Sequence, residues 1–242
     1  MPRQEAATTL SDRAYEWLKR DIILGVWQPG TRLAVKQLSE HYEIGASPIR
    51  EALARLVGEG LVRVFGQRGF RVPPIDLEDL WDVTNTRVLI ENEALRQSIE
   101  HGDDVWESEV VAAYHQLEKL ENDPDRDFSE WERRNQRFHE ALVAACPSAW
   151  LQRMRKILHD QHRRYRFLSI RFAPSRDVAA EHRALRDAAL AGDVRSATEV
   201  LRVHIERTAH TVERVLASGE SELEEAASWK HAIHTATPSA GG

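Results

Sequence analysis

One cysteine in 242 residues, Cys146, leaves no internal disulfide to staple the fold, and that scarcity fits a reducing cytoplasm. Long apolar runs are missing too: none approaches the ~18–20 residues of a bilayer span, so no membrane role is expected. The first ten residues, MPRQEAATTL, contain no apolar signal core, so export is not expected either. No HExxH arrangement occurs and no internal repeat; the first absence counts against a helical metal-dependent hydrolase, the rival enzyme reading. A net charge of −6 gives the whole chain no surplus of cations for a nucleic acid, but the charge is unevenly spread. Residues 1–72 hold 11 Lys+Arg against 8 Asp+Glu, or +3, and the remainder holds 22 against 31, or −9. This suggests a basic N-terminal module on an acidic body.

What is present is a globular composition, 42% hydrophobic and 30% charged, on a chain long enough for two modest domains. Ala14, Leu18 and Ile22 recur at helical spacing until Gly25 and Pro29-Gly30 stop the pattern. A short helix is expected over 35–42 and a third over 47–57, with Ile49, Leu53 and Leu56 inward and a turn at 43–46 between them. LVRVF, GQRG and FRV then read as two short strands around a glycine turn. Three helices and a hairpin make a winged helix-turn-helix, expected over 1–72. Pro73-Pro74 marks a linker over 73–76. From 77 to 218 the pattern is all helical, with helices expected at 77–100, 104–121, 128–145, 148–172, 175–191 and 194–218. Residues 219–242 read as a disordered tail. The fold class is therefore mainly α.

The stretch GASPIREAL, residues 45–53, raises a question. Ser47-Pro48 resembles a capped helix start, yet Arg50 follows in the first turn, where the helix dipole disfavours a cation by roughly 0.3–1 kcal/mol. A polyanion arriving at that end reverses the argument. A helix-turn-helix lays its second helix in the major groove, N-terminal side chains toward bases and phosphates. Arg50 can then fork onto phosphate or guanine, Ser47 can reach a phosphate, and Gly45 and Ala46 permit close backbone approach. Lys36 is placed to grip the backbone, and Gln67, Arg68 and Gly69 at the hairpin tip can probe the minor groove. The alternative for Arg50 is pairing with a nearby carboxylate.

The segment PGTRLAVKQLSEHYEIGASPIREALARLVGEGLVRVFGQRGFRV resembles the DNA-binding domain of GntR-family bacterial transcription regulators: PG-x-x-L, then P-x-REAL-x-x-L, G-L-V and Q-x-G-F-x-V. The helical remainder resembles the FCD ligand-binding domain of the FadR subfamily, and WLKRDIILG, REALARLVGEGLV and RYRFL are similar to a CsiR-like branch associated with short dicarboxylates. The resemblance implies a cytoplasmic homodimer on a double-stranded DNA operator, a repressor released by a small carboxylate.

In the helical part, Asn135 and His139 lie four apart on one helix face, and His182 and His204 each lie near an inward stripe. By spacing alone, hydrogen-bonded core histidines and a metal site both remain open. Neutral imidazoles with an oxygen ligand suit zinc, nickel or a related divalent ion. The FCD resemblance implies the metal reading, since N-x-x-F-H, Glu181-His182 and His204-Ile205 align with the family's D-x-x-F-H, later His, and final His near H-I. Asn135 departs from it, offering a carbonyl oxygen without negative charge. A metal-free polar pocket is the alternative. Arg87 and the cluster Arg163, Arg164, Tyr165 and Arg166 are candidate carboxylate clamps, with an i,i+4 pair to Glu91 the competing fate of Arg87. His159 and His162, among charges in LHDQHRRYR, read as a solvated face. Trp81, Trp106, Trp131 and Trp150 read as core or dimer interface.

Overall fold

The computed structural model describes residues 9–217 except 67–68, 124 and 173–175 and the side chains of 167–172. The expected tail at 219–242 lies outside the described residues. In the N-terminal domain α1 (Leu10–Ile23) opens on a capping box, Thr9 and Asp12 bonding each other's backbone N–H. Strand β1 (Arg32–Leu33) leads to α2 (Val35–Tyr42) and α3 (Ala46–Gly58), followed by β2 (Arg63–Val64) and β3 (Phe70–Arg71). The three strands form an antiparallel sheet in the order β1-β3-β2, with Leu33 and Val64 both opposite Phe70. The expected hairpin is β2 and β3; β1 was not legible in a two-residue run. Ala14, Leu18, Leu38, Ile49, Leu53 and Leu56 interlock as one core.

The left-handed residue of the α2–α3 turn is Glu43, φ 54°. One detail of the turn differs from the sequence reading. Gly45 is the N-cap of α3 in extended conformation, and Ser47 lies inside the helix, its hydroxyl 3.5 Å from Glu51 rather than capping. Pro48 is still tolerated there because the first-turn N–H groups have no helical acceptors to lose.

The C-terminal domain packs α4 (Leu77–His101), α5 (Asp104–Glu121), α6 (Phe128–Leu142), α7 (Ala149–Phe172), α8 (Val178–Leu190) and α9 (Val194–Ala217). Asp76, Asp103, Asp127 and Asp177 cap four of these, each accepting first-turn N–H bonds. Trp106 lies against Gly102 so closely that a Cβ there would meet the indole at 2.2 Å, and its Nε1 donates to the Ala141 carbonyl. Trp131 is also core, Trp81 stacks edge-on to His210, and Trp150 is exposed. Around α6, α8 and α9 the apolar core gives way to buried polar side chains, where the site lies.

Candidate functional site

Inward positions of α6, α8 and α9 bring His139, His182 and His204 together, all buried, with one ligand nitrogen of each within 4.8 Å of the others. Their rings form a triangle, with centroids 5.4, 5.1 and 4.9 Å apart. Two carboxylates that sequence reading did not single out orient these rings from behind. His182 Nδ1 lies 2.6 Å from Glu121, the last residue of α5, and His204 Nδ1 lies 2.8 Å from Glu181. Glu181 is itself gripped by Arg176 and Arg207. Each carboxylate fixes a proton on Nδ1 and leaves Nε2 as the ligand atom. The Nε2 atoms of His139 and His182 are buried with no partner among the described residues, as are both amide atoms of Asn135 one turn before His139. Burial, then the neighbouring imidazoles, push His139 well below the ordinary histidine range; burial and His182 do the same for His204. Buried rings, two of them with unpartnered Nε2 atoms, and an unpartnered amide oxygen nearby are a donor set that fits a divalent ion such as zinc or nickel. No other group of three or more such side chains occurs among the described residues.

Beside this triangle lies a second set of buried polar groups, and His159 and His162 belong to it. They are not solvated: both are buried. Arg87 is buried with its i,i+4 partner Glu91 at 2.7 Å, so the competing fate is met, but its remaining nitrogens also reach His162 Nδ1 at 2.9 Å and His159 Nδ1 at 3.1 Å. An arginine only donates, so both Nδ1 atoms accept and both rings carry the proton on Nε2, where neither finds a partner. Glu91 also lies 3.3 Å from His159 Nδ1; the shorter contact to Arg87 decides the tautomer. Burial, then Arg87, holds both imidazoles well below their usual range. Burial alone would raise the Glu91 carboxyl, but Arg87 and Arg155 bring it down to about 2.

On α7 the residues Arg155, His159, His162 and Arg166 follow one another at helical spacing and are all buried. Arg155 Nε and Nη1 and Arg166 Nη2 meet no acceptor, and burial lowers Arg166 to about 10 despite Glu132. The rings of His139 and His159 lie 5.9 Å apart, so the two sets adjoin. Arg163 and Tyr165 are not part of this face. Arg163 bonds Glu132 and Asp160, and the Tyr165 hydroxyl donates to Asp79 amid Leu80, Ala209 and Val212. The sequence placed them by proximity to arginines, whereas a helix turns them 100° or more away from the pocket.

On the N-terminal domain, Gly45, Ala46, Ser47 and Arg50 are exposed together at the start of α3. Arg50 has no partner among the described residues, which removes the carboxylate alternative there. Lys36 is exposed, 4.0 Å from Glu40. Gly69 takes φ 92° at the wing; Gln67 and Arg68 lie outside the described residues.

An exposed, unpaired helix N-terminus on a winged helix-turn-helix, joined to a helical domain with a buried polar centre, is the architecture of a DNA-binding regulator. Comparison with known proteins bears this out in its coarse form. Residues 10–72 match the family of bacterial regulatory proteins called gntR, and residues 82–207 match the FCD domain. The HTH-type transcriptional regulator BphR of Paraburkholderia xenovorans (strain LB400) is 45% identical over 84% of this chain and 85% of its own length. The HTH-type transcriptional repressor GlaR of Escherichia coli (strain K12) is 38% identical over 82% and 93%. In fold, the chain is similar to E. coli McbR/YncC, with a TM-score of 0.75 over 86% of this chain and 99% of that one at 22% identity. The chain belongs to the GntR family of bacterial transcription regulators and carries an FCD domain. Its relatives are regulators of transcription, not enzymes. No helix among the described residues is long and apolar enough to cross a membrane.

Proposed function

We propose that the chain is a repressor whose hold on operator DNA is set by a small carboxylate, bound in the helical domain beside a divalent ion, zinc or nickel. The observation that carries this reading is the accumulation of unsatisfied donors in one buried place. Arg155 and Arg166 present unpartnered guanidinium N–H groups, and His159 and His162 present unpartnered Nε2–H groups, next to a triangle of buried imidazoles. A buried cation without a partner costs several kcal/mol, and an anionic ligand removes that cost. His139, His182 and His204 hold the ion, with Asn135 offering a carbonyl oxygen, and Glu121 and Glu181 set the tautomers of two of the rings. The ion, when bound, supplies a fixed positive charge with positions open to a carboxylate oxygen.

Arg50 and Ser47, with Gly45 and Ala46 allowing close approach, meet the major groove; Lys36 grips phosphate, and Gly69 with Gln67 and Arg68 forms the wing contact. Two copies bind two half-sites as a homodimer. The repressor sense is supported by the name given to GlaR. A thermal-shift screen with small mono- and dicarboxylates, with and without zinc or nickel, tests the reading. Metal should raise the melting temperature, and a carboxylate should raise it further in the metal-loaded protein. A carboxylate shift untouched by chelator would point to a metal-free pocket, and no shift with any of them would refute both ligands.

A further inference from the structure

We propose that the α7 turn from His159 to Arg166 carries the state of this pocket to the C-terminal end of the DNA-reading helix α3, a regulation that rests on the effector reading above. The turn has two buried faces. On one, His159 and His162 accept hydrogen bonds from Arg87, and Arg166 is buried one turn further on. On the other, three consecutive contacts reach the DNA-binding domain and the segment that follows it. Asp160 lies 2.5 Å from the Lys19 ammonium of α1, Gln161 Nε2 donates to the Glu59 carbonyl at 2.5 Å, and Arg164 donates to the Pro73 carbonyl at 3.2 Å.

Glu59 is the residue that closes α3, and it is held from several sides. Its carboxylate accepts from Tyr15 at 2.7 Å and from Lys19 at 3.1 Å, while its carbonyl accepts from Gln161. Gly60 takes φ 75°, a conformation that favours glycine, and a Cβ there would stand 2.9 Å from Gln161 Nε2 and displace that amide. The end of the reading helix is thereby hydrogen-bonded directly to α7.

A continuous ionic chain connects the two faces. Asp160 accepts from Arg163 at 3.1 Å, Arg163 donates to Glu132 at 2.5 Å, and Glu132 accepts from Arg166 at 3.2 Å. Arg166 still has Nη2 free toward the pocket. An ion held by His139, whose ring lies 5.9 Å from that of His159, or an anion that engages Arg166, His159 or His162, changes the partners available to Glu132 and the position of the turn. Asp160 and Gln161 sit on that same rigid turn, so Lys19 and Glu59 register the change. Close-packed ion pairs shift between discrete arrangements rather than yielding smoothly, and the coupling is reciprocal by thermodynamic necessity.

The test is hydrogen exchange on the full chain with zinc alone as the probe, zinc binding being measured in parallel by calorimetry. In the wild type, exchange in segments covering Tyr15–Ile22 and Leu56–Leu61 should change about fivefold or more on zinc binding. In the Asp160→Asn/Gln161→Ala double variant zinc should bind as before while those segments no longer respond. If circular dichroism shows that the double variant does not fold, Gln161→Ala alone decides, with the response at least halved. Zinc that binds the wild type without any response in those segments overturns the coupling and leaves the metal reading intact, as does a full response in the variant. Zinc that does not bind at all sinks the metal half of the effector reading, and the zinc-driven coupling falls with it.

Discussion

Arg155→Met removes a buried guanidinium whose Nε and Nη1 have no acceptor, while keeping a long flexible side chain in the same space. Glu91 keeps its partner, because Arg87 remains at 2.7 Å. Exchanging a poorly satisfied buried charge for an apolar chain of similar length stabilises by about 1–3 kcal/mol. For a chain of this size each kcal/mol is worth about 2–4 °C, so the melting temperature of the free protein should rise by several degrees. The same change should abolish or sharply reduce the further stabilisation given by a small carboxylate. Differential scanning calorimetry with and without the carboxylate measures both. A fall in the melting temperature of the free variant, or an undiminished carboxylate shift, would refute the idea that this cation is held in reserve for an anion.

Arg50→Ala should weaken operator binding by about 1–3 kcal/mol in a gel-shift titration at fixed salt, with the melting temperature unchanged because Arg50 is exposed and makes no hydrogen bond or ion pair among the described residues; unchanged DNA affinity would remove it from the interface. Glu121→Gln and Glu181→Gln should each lower zinc affinity about 10–100-fold in a chelator competition, and equal affinity would show that the carboxylates behind the rings do not matter. In the metal-free protein His139, His159, His162 and His204 stay neutral in the fold, whereas in the unfolded chain they take up protons near the ordinary histidine value. Their contribution to stability is therefore present above about pH 6.5 and lost as pH falls below it, by up to about 1.4 kcal/mol per pH unit for each. Urea unfolding between pH 8 and 5 checks this, and a flat profile would contradict the burial of neutral rings.

The sequence pattern carried the winged helix-turn-helix and the six later helices to within a few residues at most ends, on signals local to a few turns: apolar spacing and proline and glycine punctuation. The three histidines came from the FCD resemblance, since spacing alone left a core reading open. His159 and His162 were misread as solvated because the inward stripe of α7 that they share with Arg155 and Arg166 has helical periodicity but polar chemistry, and polar residues are ordinarily solvated. Period and polarity disagreed there, and the period was the better guide. Glu121 gave no signal, since it stands 61 residues from the ring it orients. Ser47 failed as a cap because Gly45, two residues earlier, already supplies the extended conformation that starts α3. The pinning of Glu59 by Gln161 joins residues 102 apart, which no local pattern can report.

Counting metal per chain, by elemental analysis of protein prepared without a histidine tag and saturated with zinc, tests the central claim most directly. One ion per chain in the wild type, and none in the His182→Ala/His204→Ala double variant that still binds DNA, is what the geometry requires. No ion in the wild type, or a full equivalent retained by the double variant, would contradict it.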